Sequence, residues 1–185
     1  MNYEQVVQNI LNEHRQVYEK VDLAQIRDLI GFIKKAKRIF LAGVGREGLA
    51  TRGFAMRLMH MGKETHWVWD DTTPEVAPGD LFILTSGSGE IGHIHYVAER
   101  AKAAGAEIAV ITGARSGKTP AIANTVLWVP AHVFKGKDNV VESNQPMGNL
   151  FEQTLFVLFD IIVMMLMDDL NISEEEMISR HRNVE

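Results

Sequence analysis

Asp80-Leu81-Phe82-Ile83-Leu84-Thr85-Ser86-Gly87-Ser88-Gly89-Glu90 decides how the rest of the chain is read. A short apolar run stops at four small residues, and a helical pattern over about 91–104 follows. That is one strand, one glycine-bearing turn and one helix. Arg38-Ile39-Phe40-Leu41-Ala42 repeats the order upstream, with Gly43-Val44-Gly45 as its turn and a helix-like stretch from Glu47 to Met61. Short apolar runs alternating with helical segments are the pattern of βαβ units and a parallel sheet. Strands are predicted near 38–42, 64–69, 80–85, 107–112 and 125–129, with Gly105 and Pro130 as punctuation. The expected fold class is α/β, a three-layer α/β/α sandwich around a five-stranded parallel sheet.

Two amphipathic helices precede the sheet. Val6, Val7, Ile10, Leu11 and Val17 keep near-helical spacing over 3–20, and Leu23, Ile26, Leu29, Ile30 and Ile33 do so over 22–35. After the last strand, 131–146 reads as a long loop and 147–168 as the longest helix. A short helix over 173–182 opens with Ser173 and three glutamates, a good amino-terminal cap. Residues 1–185 are expected to form a single domain, with helices 3–35 and the tail 147–182 packed on it; 185 residues suit one core.

Composition removes several function classes. The chain has 19 basic and 24 acidic residues and a net charge of −5, which disfavours nucleic acid or an anionic membrane as partner. A small basic pocket remains compatible with that balance. Without cysteine there is no disulfide, thiolate metal site or cysteine nucleophile. The polar, acidic start lacks the order of a secretory signal, which points to the cytoplasm. The apolar stretch 155–167 is too short for a membrane span and contains Asp160, so it is expected to be a buried helix.

Three segments carry chemistry. Gly43-Val44-Gly45-Arg46-Glu47-Gly48 fits G-x-G-x-x-G between strand and helix, and Asp70 closes the next strand, as in dinucleotide sites. The same glycines equally serve any tight turn that approaches a ligand. Ser86-Gly87-Ser88-Gly89 offers two hydroxyls and unobstructed backbone N–H groups at a helix start, a cradle for one phosphate that needs no lysine. Its plainer reading is a flexible connection. Two such loops at neighbouring strand ends favour the cradle, because open α/β sheets bind ligands at their carboxyl edge. In Gln145-Pro146-Met147-Gly148-Asn149-Leu150-Phe151-Glu152-Gln153, Glu152 falls early in an apolar helix. It stands either as a partly desolvated base with a raised pKa or as a carboxylate complementing the helix dipole.

His93 and His95 are two apart on a helix and diverge, so they do not readily chelate one metal. The methionines at 56, 59, 61, 164, 165 and 167 read as core or subunit-interface filler. Trp67, Trp69 and Trp128 read as core residues in or beside strands.

Gly43–Gly48, Phe54-Ala55-Met56-Arg57-Leu58-Met59-His60-Met61-Gly62, Ser86–Glu90, Gln145–Gln153 and the carboxyl-terminal Glu176-Met177 with His181-Arg182-Asn183-Val184-Glu185 together resemble the sugar isomerase (SIS) family. Within it they are similar to the 6-phospho-3-hexuloisomerases. The resemblance implies a flavodoxin-like sheet, a homo-oligomer (tetramer or dimer), a phosphorylated sugar as substrate, and enediol proton transfer with no cofactor and no metal. By the same resemblance Ser86 and Ser88, with Gly87 and Gly89, hold phosphate. Glu152 is the base, His181 assists proton transfer to oxygen or is a plain polar tail residue, and Arg46 beside Gly45 neutralises phosphate or enediolate. Two positions depart from the family pattern: Glu47 replaces serine and Ile91 replaces threonine. One adds a carboxylate beside the anion site and the other removes a hydroxyl donor. A non-catalytic sugar-phosphate sensor and a dinucleotide-binding protein are the alternative readings.

Overall fold

The computed structural model describes residues 2–135, 138 and 141–184. Strands β1 (Ile39–Ala42), β2 (Thr65–Trp67), β3 (Leu81–Thr85), β4 (Glu107–Thr112) and β5 (Thr125–Trp128) form one sheet. Its order is β2-β1-β3-β4-β5 and every pairing is parallel. Helices α1 (Tyr3–Tyr18) and α2 (Leu23–Lys35) precede the sheet, and α3 (Gly45–His60) and α4 (Gly92–Ala103) follow β1 and β3. The four-residue α5 (Lys118–Ala121) lies between β4 and β5, in a stretch for which no helix was expected. α6 (Asn149–Leu170) and α7 (Glu174–Ser179) end the chain.

The sheet divides its side chains by the two-residue period of a strand. Ile39, Leu41, Leu81, Ile83, Ala109 and Ile111 pack in one cluster with α2, α3 and α6, through residues such as Ile33, Phe54 and Phe159. Phe40, Ala42, Phe82, Leu84, Ile108 and Val110 point the other way, onto Ile94, Ala98 and Ala101 of α4. Both faces are covered, so β3 is buried along its whole length and reads as an uninterrupted apolar run. At the amino edge, buried Asp80 accepts from Arg38 Nε at 3.0 Å and Nη2 at 2.6 Å, tying the starts of β1 and β3.

α6 is long and apolar enough to cross a membrane by length and composition, and half of its most apolar window is buried. Phe151, Leu155, Leu158, Phe159 and Ile162 enter the core beside the sheet, while Phe156, Val157 and Met164 are exposed. Gly148, at φ +81°, separates α6 from the 3₁₀ turn Pro146–Gly148. A Cβ on Gly148 would lie 2.6 Å from the Phe134 backbone nitrogen, so only glycine lets the 131–135 segment cross the start of α6.

Candidate active site

The strand order reverses between β1 and β3, and ligands of doubly wound sheets bind at that point, outside the carboxyl ends of the strands. The two loops there are the glycine turn 43–45 and the serine–glycine loop 86–89. They are drawn together by missing side chains. A Cβ on Gly43 would meet Thr85 Oγ1 at 2.2 Å, and one on Gly48 would meet the Gly43 carbonyl oxygen at 2.7 Å. Gly43 and Gly48 thus serve close helix–strand packing. Asp70, the other half of the dinucleotide pattern, is paired with Arg52 at 2.7 Å.

A cavity of about 280 Å³ opens over this edge. Gly45, Arg46 and Glu47 of α3, Gly87 and Ser88 of the loop, Ile91, Lys135, and Phe151 and Glu152 of α6 line it. Of the loop residues expected to hold phosphate, Gly87 and Ser88 therefore reach the cavity. Ser86 does not: it is fully buried, its N–H donates to the Ile111 carbonyl at 3.1 Å as a continuation of β3, and its Oγ has no partner. Gly89 turns away at φ +67°, donating its N–H to Ser86 O at 3.0 Å and abutting Gly117.

Glu152 accepts from Arg46 Nη1 at 2.8 Å, and the same nitrogen contacts Asn149 Oδ1. Its side chain keeps 20% of its accessible surface, so one face of the carboxylate remains toward the cavity. The start of α6 is held from a distance by Glu13 of α1, which accepts from Ser143 Oγ at 2.6 Å, Gln145 Nε2 at 2.8 Å and Asn144 N at 3.1 Å. Burial pushes the Glu13 carboxyl up, but these donors outweigh it and hold the pKa below the usual range. His14 adds a second tie, 2.9 Å from Gln153 Oε1.

The most deeply buried carboxyl of the cavity wall among the described residues is that of Glu47. Glu47 is 7% exposed, its Oε2 accepts the Gly87 N–H at 2.8 Å, and its Oε1 is buried without a partner. Burial pushes the carboxyl up to about 7 against the lowering effect of that hydrogen bond, and the charge of Glu152 adds to the rise. A carboxyl group thus occupies an N–H of the serine–glycine loop. Beside Arg46, among the described residues, the cavity wall carries Lys135, whose Nζ lies 5.3 Å from the Phe134 ring centroid, in the stretch 131–146 expected to be a loop.

His181 is not among the residues lining this cavity. Within the chain it stacks on His60 of α3, ring centroids 5.2 Å apart, in a separate cavity between α3, α6 and α7. Arg180 anchors the same tail by donating to His60 O at 3.1 Å. His93 and His95 also go different ways, one beside Trp69 and the other beside Glu99.

A five-stranded flavodoxin-like sheet with a glycine turn and a serine–glycine loop at its switch point defines the class: the chain belongs to the SIS domain family, whose model matches residues 32–132. Within it the similarity runs to 3-hexulose-6-phosphate isomerases. The Bacillus subtilis protein of that name is 35% identical over 185 residues, all of both chains. The Mycobacterium gastri one is 40% identical over 166 residues, 90% of this chain and 83% of that one. A crystal structure from Methanococcus jannaschii, from which a 3-hexulose-6-phosphate isomerase function was inferred, has a TM-score of 0.85 at 33% identity. The match covers 98% of this chain and 99% of that one.

Proposed function

We propose that this protein is a sugar-phosphate isomerase that interconverts 3-hexulose 6-phosphate and fructose 6-phosphate through an enediol. The observation that carries this reading is the placing of a partly exposed carboxylate, Glu152, across the switch-point cavity from the Ser88 loop, in a relative of 3-hexulose-6-phosphate isomerases. A monophosphate at Ser88 meets a hydroxyl donor with the cations of Arg46 and Lys135 nearby. The sugar chain then extends toward Glu152. In the hexulose direction Glu152 removes the proton on C2, beside the C3 carbonyl, and returns it to C3. Arg46, already hydrogen-bonded to Glu152, offsets the charge that develops on the enediolate oxygens.

The exposed apolar residues of α3 and α6, Met56, Phe156, Val157 and Met164, support association of copies, a homo-oligomer in which the His181 tail approaches a neighbour's cavity. The deciding experiment is solvent deuterium exchange into C3 of fructose 6-phosphate. The native protein is expected to catalyse it and Glu152→Gln to abolish it; exchange that persists in the variant removes Glu152 from the role. A second reading, a sugar-phosphate sensor without turnover, is favoured by the carboxyl of Glu47 in the anion loop. It predicts thermal stabilisation by fructose 6-phosphate with no exchange.

A further inference from the structure

Among the described residues two carboxyl-bearing side chains line the cavity, Glu47 and Glu152, and the isomerase reading uses one. Glu152 is compensated by Arg46 at 2.8 Å, whereas Glu47 has the Gly87 N–H for one oxygen and nothing for the other. Among the described residues, Arg46 and Glu152, from α3 and α6, and Lys135, from the segment that crosses α6, are the charged groups sharing the cavity with Glu47. One carboxyl is ion-paired at the cavity and the other is buried with an oxygen unpaired, an asymmetry of the kind by which enzymes assign base and acid.

We propose that Glu47 is a second catalytic residue, the acid that carries the oxygen-bound proton of the isomerisation while Glu152 carries the carbon-bound one. The inference rests on the isomerase reading above. With Oε2 accepting from Gly87, the acid proton resides on the orphaned Oε1. Glu47 lines the cavity, and rotation about its side-chain torsions, with the Gly87 hydrogen bond given up, brings that proton to the cavity without backbone movement.

The two proton transfers balance. Glu152 takes the proton from C2, the C2–H electron pair becomes the C2=C3 bond, and the C3 carbonyl oxygen takes the proton of Glu47. In the second half, Glu47 as carboxylate takes the proton from the C2 hydroxyl, C2=O forms, and C3 recovers the proton held by Glu152. Both carboxyls end as they began, with no co-reactant. A neutral carboxylic acid also removes the charge conflict that a carboxylate at Gly87 sets against phosphate.

The test is steady-state isomerisation of fructose 6-phosphate by native protein, Glu47→Gln and Glu152→Gln across pH. Glutamine keeps the shape and the acceptor for Gly87 but transfers no proton. Native kcat is expected to fall as pH rises through about 7, where the acid is lost. Glu47→Gln is expected to lower kcat by roughly 10²–10⁴-fold and to erase that limb, with KM changed by less than about threefold. A Glu47→Gln enzyme that keeps native kcat, or that loses activity but retains the limb, overturns the inference while leaving the isomerase reading intact. Native protein without turnover or exchange overturns both.

Discussion

Replacing Glu47 by glutamine also makes a thermodynamic experiment that needs no substrate. Glu47 is 7% exposed and its carboxyl is pushed from 4.5 up to about 7 by burial, opposed by the Gly87 N–H and helped by Glu152. At 1.36 kcal/mol per pH unit, that rise makes the carboxylate about 3 kcal/mol less favourable in the fold than in the unfolded chain. Between the two values the folded protein holds a proton that the unfolded chain has released, so stability falls as pH rises through this window and levels off above it. Glutamine, which cannot ionise, is insensitive throughout. Urea unfolding followed by tryptophan fluorescence is to be run on both proteins from about pH 4.5 to about pH 8. The variant is expected to gain on the native protein steadily across the range, reaching about 3 kcal/mol at the alkaline end. Subtracting the two curves cancels Glu13, Asp80 and every other group that titrates alike in both. A difference that stays constant with pH would refute the argument, because a carboxyl free to ionise in the fold leaves no such slope.

Four other expectations follow from contacts described above. Gly48→Ala forces a methyl against the Gly43 carbonyl and is expected to cost about 1–3 kcal/mol in chemical denaturation. Glu13→Ala orphans the donors of 143–145 and is expected to cost about 1–3 kcal/mol near neutral pH. Because the Glu13 pKa is depressed, the native protein itself gives up that stabilisation as pH drops below 4.5, so the gap between the two narrows in acid. Lys135→Ala is expected to weaken fructose 6-phosphate binding by about tenfold in calorimetry, the loss of one charge-assisted contact of about 1.5 kcal/mol. Met164→Glu, on the exposed side of α6, is expected to lower the mass seen by light scattering if copies associate there.

Much of the fold could be read in advance because buried parallel strands are continuous apolar runs. Leu81–Leu84 and Ile108–Ile111 mark themselves, and glycines close them, so strand limits fall within one or two residues of expectation. α5 escaped because four residues around Pro120 carry no periodicity. The site was less legible. Glu152 and Arg46 stand out in the segments that resemble the family, but their partnership needs α3 against α6. Ser86 was expected in the cradle for its hydroxyl and by the family resemblance, yet its N–H extends the ladder to β4 and its side chain is buried. Lys135, at φ +62°, comes from a segment whose course depends on Gly148. That Glu47 would accept from Gly87 follows from β1 lying beside β3, and strand order is not written in any local pattern.

The grip of Glu13 on the 143–145 turn gives the first helix leverage over chemistry carried near the other end of the chain. The serine–glycine loop is anchored in the sheet, Ser86 N–H donating to the Ile111 carbonyl and Gly113 N–H to that of Gly87. The carboxylate that faces it hangs from α6, whose first turn is moored to α1 by Glu13 and His14. Under the proposed mechanism, binding and turnover are therefore adjustable from different parts of the gene: changes along α1 would slide Glu152 relative to the serine–glycine loop, altering rate while leaving affinity in place.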